Sequence, residues 1–439
     1  MKKLLYLFLA ICVSSVSFGQ TTLIPDPNFE QALIDLGYDT PPIDGSVPTN
    51  NIWSIFELDI SNRAITDLTG IEDFGALHIL NCSLNSITML DVSGNFELGT
   101  LDCSNNQLTN LSLPNINGNA LTELRCSSNQ LTSLDVSNNF ELSFLECSLN
   151  QFSIIDVSNN NLLNEFHCWP CPLLADLDLT NNTALINLAV GYAPLGSLNL
   201  NSNLELEYLL CTDTQITNLD LSNNLSLITL GCMRNSNLSN LILGNNVNLE
   251  FINCHGGNLF SLNTIENTGL ETLICYDNQI GVLDLSNNPS LGILMLSNNE
   301  LTSLDVRNGT NTFLGTFQTE NNPSLTCIYV DNAEYSSQNW TEIDPNSTFV
   351  ENEAECEALT VGDNSLDVEL ILFPSPTENY LFIQGTAGQF SATVYNMLGK
   401  RVLFIENTDK IDVSGLPDGV YIINLSDGVN ETQRKFIKN

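Results

Sequence analysis

Apolar residues recur along most of the chain with a period of 21 to 23. "LHILNCSLNSITMLDVSGN", "LGTLDCSNNQLTNLSL", "LTELRCSSNQLTSLDVSNN" and "LSFLECSLNQFSIIDVSNN" superimpose as L-x-x-L-x-C-x-x-N-x-L-x-x-L-D-V-S-x-N. Each L-x-C predicts a short strand whose leucine and cysteine point inward, and the asparagine three places on satisfies backbone groups of a turn. No such unit can bury its apolar face alone, so the pattern predicts a solenoid of stacked parallel coils with one continuous core. Cys82, Cys103, Cys126, Cys147, Cys168, Cys211, Cys232, Cys254 and Cys275 share one slot, filled by Val190, Leu296 and Thr319 where cysteine is missing. Thirteen coils at the inter-strand spacing imply a stack about 60 Å long.

Both ends break the pattern. "MKKLLYLFLAICVSSVSFGQ" pairs two lysines with an apolar run and small residues before Gln20, and it reads as a signal peptide over residues 1–19. In "IPDPNFEQALIDLGYD", Asp26 is placed to cap a helix, with Pro27 at its first turn, Phe29, Leu33 and Leu36 on one face and Gly37 as its stop. Residues 20–51 are therefore an N-terminal helical cap on repeats spanning 52–330. A C-terminal cap over 331–358 and an acidic linker over 359–367 follow. From 368 to 439 the pattern switches to short alternating strands between turn residues, the signature of a small β-sandwich.

The repeats resemble leucine-rich repeats, most closely the bacterial internalin-like kind in which cysteine replaces a core leucine. The last segment, through "FPSPTENYLFI", "VYNMLGKRV", "LPDGVYIINL" and "KFIKN", resembles the C-terminal sorting domain of type IX secretion. Pro374, Pro376, Gly399, Gly419 and Lys435 carry that likeness, and Ser375 stands where asparagine is usual between the prolines. The resemblance implies a partner in the type IX secretion machinery and a secreted or outer-surface location on a Gram-negative bacterium.

Charge narrows the partners. With 51 acidic against 12 basic side chains the formal net charge is −39, a poor match to nucleic acid or anionic membrane. No later stretch has the length of a membrane helix, so no membrane insertion is expected. Between residues 4 and 399 the only basic side chains are Arg63, Arg125, Arg234 and Arg307.

"EFHCWPCP" holds a C-x-x-C spacing that in isolation suggests a redox pair or half a zinc site. The register places Cys168 in the cysteine ladder and Cys171 in the asparagine slot of Asn85, Asn106, Asn129 and Asn150, so neither role is expected. Ladder cysteines have nearly parallel Cβ directions and are expected to stay free thiols, while Cys327 and Cys356, outside both slots, are expected to form a disulfide. The recurring Asp91, Asp135, Asp156, Asp178, Asp220, Asp284 and Asp305 are expected to accept hydrogen bonds within their turns, with calcium bridging as the alternative. No other cofactor is implied.

The outward slots flanking each ladder residue are polar or small early in the stack and then change character. His167 and Trp169 are followed by Leu210, Met233, His255, Ile274, Tyr276 and Met295, residue types enriched at recognition surfaces. A binding or adhesion protein recognising an extracellular protein or glycan is the reading this band favours. The alternatives are a structural surface protein without a specific ligand, and an enzyme, for which no isolated acid, base or nucleophile stands out from the repeats.

Overall fold

A computed structural model describes residues 20–114, 121–360, 371–384, 390–396, 400–408, 410–426 and 431–439. The signal segment 1–19, the linker from 361 onward and Gly399 lie outside the described residues. The chain divides into two compact units, the first ending at Glu351 and the second beginning at Asn352.

In the first unit thirteen parallel strands form one sheet in chain order, from Glu57–Asp59 through Glu165–Cys168 to Thr316–Gln318. Each repeat contributes one strand to it, and pairing is in register, so Phe166 faces Leu188 and His167 faces Ala189. On the other side the L-D-V-S segments form shorter parallel ladders, such as Met89–Asp91 with Asn110–Ser112. Between the two runs a single apolar core, with every ladder cysteine buried, extends from Ile24 to Phe349. Val190, Leu296 and Thr319 are buried in the same slot.

Two polar ladders tie successive coils together. Asn106 Nδ2 donates to the carbonyls of Cys82 and Cys103, while its Oδ1 accepts the Ile87 N–H. Asn129, Asn150, Asn278 and Asn299 repeat the arrangement. One residue before the asparagine slot the backbone turns left-handed, at Leu84, Asn105, Ser128, Leu149, Tyr192, Asp213, Arg234, Asp277, Asn298 and Asn321, with φ between 47° and 60°. The amide there reaches the next coil, as Tyr192 N–H does to Thr212 O at 2.9 Å and Asp213 N–H to Met233 O at 3.0 Å.

The N-terminal helix α1 spans Pro27–Asp35, and Asp26 Oδ1 caps it by accepting the N–H groups of Asn28 and Phe29. Asp26 Oδ2 also accepts from the backbone of Thr66 and Asp67, which docks the helix on the first coil. Phe29 and Leu33 are buried there, Phe29 with its ring 6.3 Å from that of Phe74. Leu36 departs from the expected face: it is the C-cap residue, at the turn into Gly37, and is exposed. At the other end of the stack Trp340 stacks on Phe317 at 4.4 Å and covers the last strand.

The second unit holds a three-stranded antiparallel sheet, Ile371–Phe373, Tyr380–Gln384 and Lys410–Asp412, and a four-stranded one ordered Arg401–Thr408, Phe390–Asn396, Gly419–Ser426, Glu431–Lys438. Their shared core contains Leu381, Val394, Ile411, Ile423 and Phe436. Motifs far apart in sequence meet here: Ser375 Oγ, between Pro374 and Pro376, accepts the Ile437 N–H at 3.2 Å, and Thr377 N–H donates to Ile437 O at 2.9 Å. Gly419 opens a strand that pairs with the terminal one, in which Lys435 faces Ile422 and is exposed.

Candidate binding face

Strand alternation leaves three outward slots per coil on the thirteen-stranded sheet: the start of the strand and the two residues flanking the ladder position. Near the N-terminal end the flanking slots hold Asn81, Ser83, Asp102, Ser104, Arg125 and Ser127. Of these, Ser83 and Ser104 serve their own turns, Ser83 Oγ donating to Asn81 Oδ1 at 2.7 Å and Ser104 Oγ to Asp102 Oδ1 at 2.6 Å.

The character changes at Cys168. In the coils before it the asparagine side chain folds back until its nitrogen touches the ladder carbonyl, so the residue three places on lies against the ladder cysteine. With cysteine in that slot the two sulfurs meet, and Cys168 is bonded to Cys171 across a Cα separation of 5.6 Å. Cys168 is therefore not the free thiol expected of a ladder member. Parallel Cβ directions keep cysteines of different coils apart but place no such constraint within one coil. Cys82, Cys103, Cys126, Cys147, Cys211, Cys232, Cys254 and Cys275 are free and buried. Cys327 and Cys356 are both disulfide-bonded.

Trp169 sits inside the ring that this disulfide closes, and its backbone N–H donates to Ser148 Oγ at 3.0 Å. The indole lies along the stack over Gly191, where a Cβ would come within 2.6 Å of Trp169 Cδ1. It remains 43% exposed. The same pairing recurs two coils on, where Leu210 lies over Gly231 with Met233 beside it. Thr212 Oγ1 approaches Met233 Sδ at 3.6 Å. His255 stacks on Tyr276 at 4.5 Å and its Nδ1 is 2.8 Å from Asn253 Oδ1. Burial, and then the nearby Arg234 guanidinium, lower the His255 pKa, so this imidazole is neutral at physiological pH.

Among the residues expected from the sequence, Trp169 is exposed, and His167, Leu210, Met233, His255, Ile274, Tyr276 and Met295 are half-buried, lying on the face while partly covered by one another. His167 turns its edge to Phe144 at 5.6 Å and stands 4.0 Å from Glu165. Ile274 and Met295 are adjacent in register and continue the band.

Two further sets of residues join it. At the strand-start slot lie Phe144, Tyr208, Phe251 and Ile293, of which Tyr208 is 42% exposed. At the left-handed turn Tyr192, Asp213 and Arg234 interlock: Arg234 Nε donates to Asp213 Oδ2 at 2.7 Å and Nη2 to the Tyr192 hydroxyl at 2.6 Å. The Tyr192 ring is 6.1 Å from that of Trp169, so this cluster extends the indole toward His255 and Tyr276. Counting every slot of the repeat, instead of the two beside the ladder, would have found both sets.

The aspartates of the L-D-V-S turns each accept the N–H two residues on, Asp91 from Ser93, Asp178 from Thr180 and Asp284 from Ser286 at 2.9–3.0 Å. Such bonds hold the carboxyls of Asp135, Asp156, Asp178 and Asp220 below the usual range.

The coil geometry is that of the leucine-rich-repeat fold. The functional domain of InlJ from Listeria monocytogenes, described as including a cysteine ladder, aligns at TM-score 0.45 and 24% identity over 96% of this chain and 99% of that one. An internalin from the same organism aligns at 0.50 and 20% over 71% of this chain and 96% of that one. A leucine-rich repeat protein from Leptospira interrogans reaches 0.54 at 18% identity over 70% and 84%. At these identities the likeness is one of fold. No curated protein sequence matches the chain. Residues 371–439 match the secretion system C-terminal sorting domain family. The chain thus combines the leucine-rich-repeat fold with a type IX C-terminal sorting domain, which marks it for export to the cell surface or beyond it. No described helix is long and apolar enough to cross a membrane.

Proposed function

We propose that this is a secreted or surface-held recognition protein that binds an extracellular protein or glycan on the sheet face between Trp169 and Tyr276. One observation carries the reading: within a chain of net charge −39, aromatic and sulfur side chains gather on one rigid face and interlock with Arg234, one of the few cations of the repeats. Trp, Tyr, Met and Arg are the residues that dominate interface cores, and a parallel sheet holds them with little entropy left to lose. The residue types gathered on the face, Trp, Tyr, Met and Arg, favour binding over catalysis.

The test uses the mature full-length protein, screened against extracellular proteins and a glycan array, beside a variant carrying Trp169→Ser, Tyr192→Ser and Tyr276→Ser. Loss of the bound partner by about a hundredfold or more, with unfolding still cooperative, is the expected outcome. A variant that keeps its partner puts the binding surface elsewhere.

A further inference from the structure

We infer that the groove on the N-terminal side of Trp169 is a subsite for a neutral saccharide. This rests on the recognition reading and names its ligand chemistry. The groove has a volume of about 340 Å³ and is lined chiefly by Ser104, Asn105, Ser127, Ser128 and Ser148, with Trp169 as its end wall. That volume lies at the lower end of the range for small-ligand clefts.

Three features select the ligand. The first is unused hydrogen-bonding capacity. Ser127 is only 7% exposed, yet its hydroxyl has no partner, a costly state for a buried polar group. Beside it, Ser148 Oγ accepts the Trp169 N–H, a bond that leaves its own proton to donate. Ser148, and Ser127 once its enclosed hydroxyl turns about χ1 toward the groove, thus stand on neighbouring coils about 4.8 Å apart, the spacing of parallel strands. The second is the indole, an apolar plate fixed by the Cys168–Cys171 ring beneath it and by Gly191 beside it. A pyranose matches this pairing, because it has an apolar C–H face to lie on an aromatic ring and a rim of hydroxyls to meet the serines.

The third feature is charge. Glu146 lines the groove, and the nearest cation, Arg125, is held by Glu123 at 2.8 Å and lies over the Phe144 ring at 4.3 Å. An anionic ligand is therefore repelled, which excludes uronic and sulfated sugars. An extended peptide fits less well. The strands beneath the groove already pair on both sides, so none has a free edge to accept another strand.

The experiment is calorimetric titration of the mature full-length protein with hexasaccharides of glucose, mannose, galactose, xylose and N-acetylglucosamine, alongside oligogalacturonate. At least one neutral hexasaccharide is expected to bind, and oligogalacturonate at least about tenfold more weakly. Trp169→Ala should weaken that affinity about tenfold or more. Ser127→Ala should weaken it several-fold while leaving Tm unchanged or raised, since it removes an unpaired buried hydroxyl. A merely structural serine would not separate the two readouts. The inference is overturned if no neutral hexasaccharide binds below about 10 mM, or if Trp169→Ala and Ser127→Ala both leave affinity unchanged. Should saccharides fail while the triple serine variant still loses a protein partner, the recognition reading stands and only the saccharide subsite falls.

Discussion

Cys171 shows how one residue can change a coil without changing the fold. In the coils before it an asparagine donates to two ladder carbonyls, as Asn150 does to Cys126 and Cys147. Cysteine cannot donate twice, and a covalent bond to Cys168 takes the place of those hydrogen bonds. Restoring the repeat with Cys171→Asn should therefore be tolerated, because the new amide can reach the carbonyls of Cys168 and Cys147. Cys171→Ser, which can neither bridge nor donate twice, should cost about 2–3 kcal/mol. Thiol titration of the denatured, unreduced mature protein checks the assignment. Eight free thiols are expected in the wild type and one more in Cys171→Asn. Ten free thiols in the wild type, and one fewer in Cys171→Asn, would mean that Cys168 was never bonded.

At the scale of the coil, the ladder thiols act as a group. Burial raises the pKa of Cys82, Cys103, Cys126, Cys147 and Cys232 far above the ordinary cysteine range, and that of Cys211 to about 12. For Cys254 the hydrogen bond with Cys275 comes first and burial second. The folded chain thus keeps protons that the unfolded chain releases above a pKa of 9.0. Their stabilising contribution is complete below that pH and declines as pH rises toward the folded values, by up to about 1.4 kcal/mol per pH unit for each thiol. Urea unfolding at pH 8, 10 and 11 should show a steep loss of stability, reduced in Cys126→Val, which copies the valine at 190. A pH-independent midpoint would show that the thiols reach water in the folded state.

The same scale explains what the sequence discloses. Period, ladder and turn residues repeat many times, so the inward side of each coil is stated over and over, and noise in any one coil is averaged out. Local exceptions receive no such averaging. Cys171 is read in the light of its slot, and the slot says asparagine. Only the distance to Cys168 within the folded turn reveals the bond. The outward face is legible by composition alone, as Trp169 and Tyr276 show. Tyr192, Asp213 and Arg234 are harder to read, because their contact depends on a left-handed turn that directs side chains from three coils onto one spot.

For the whole molecule, the recognition we propose and the sorting signal are divided between two units built on different principles, a parallel solenoid and an antiparallel sandwich. In the sandwich the prolines near its start and the last strand are joined through Ser375, Thr377 and Ile437. Truncation there removes both halves of one surface. Deleting Glu369 to Asn439 is expected to leave the repeat protein in the periplasm, as fractionation and surface labelling would show. Normal surface display of the truncated chain would contradict the role of the sorting domain.

The left-handed column has a consequence for how such a face changes over generations. Leucine, tyrosine, aspartate, arginine, serine and asparagine all occupy it, although glycine would be the least strained choice and each other residue costs about 1 kcal/mol. The backbone at these positions is held by amides that bond to the next coil, so the side chain has no part in building the turn. A new specificity can therefore be written there one residue at a time, at a fixed pitch and a small, constant penalty, without renegotiating the core.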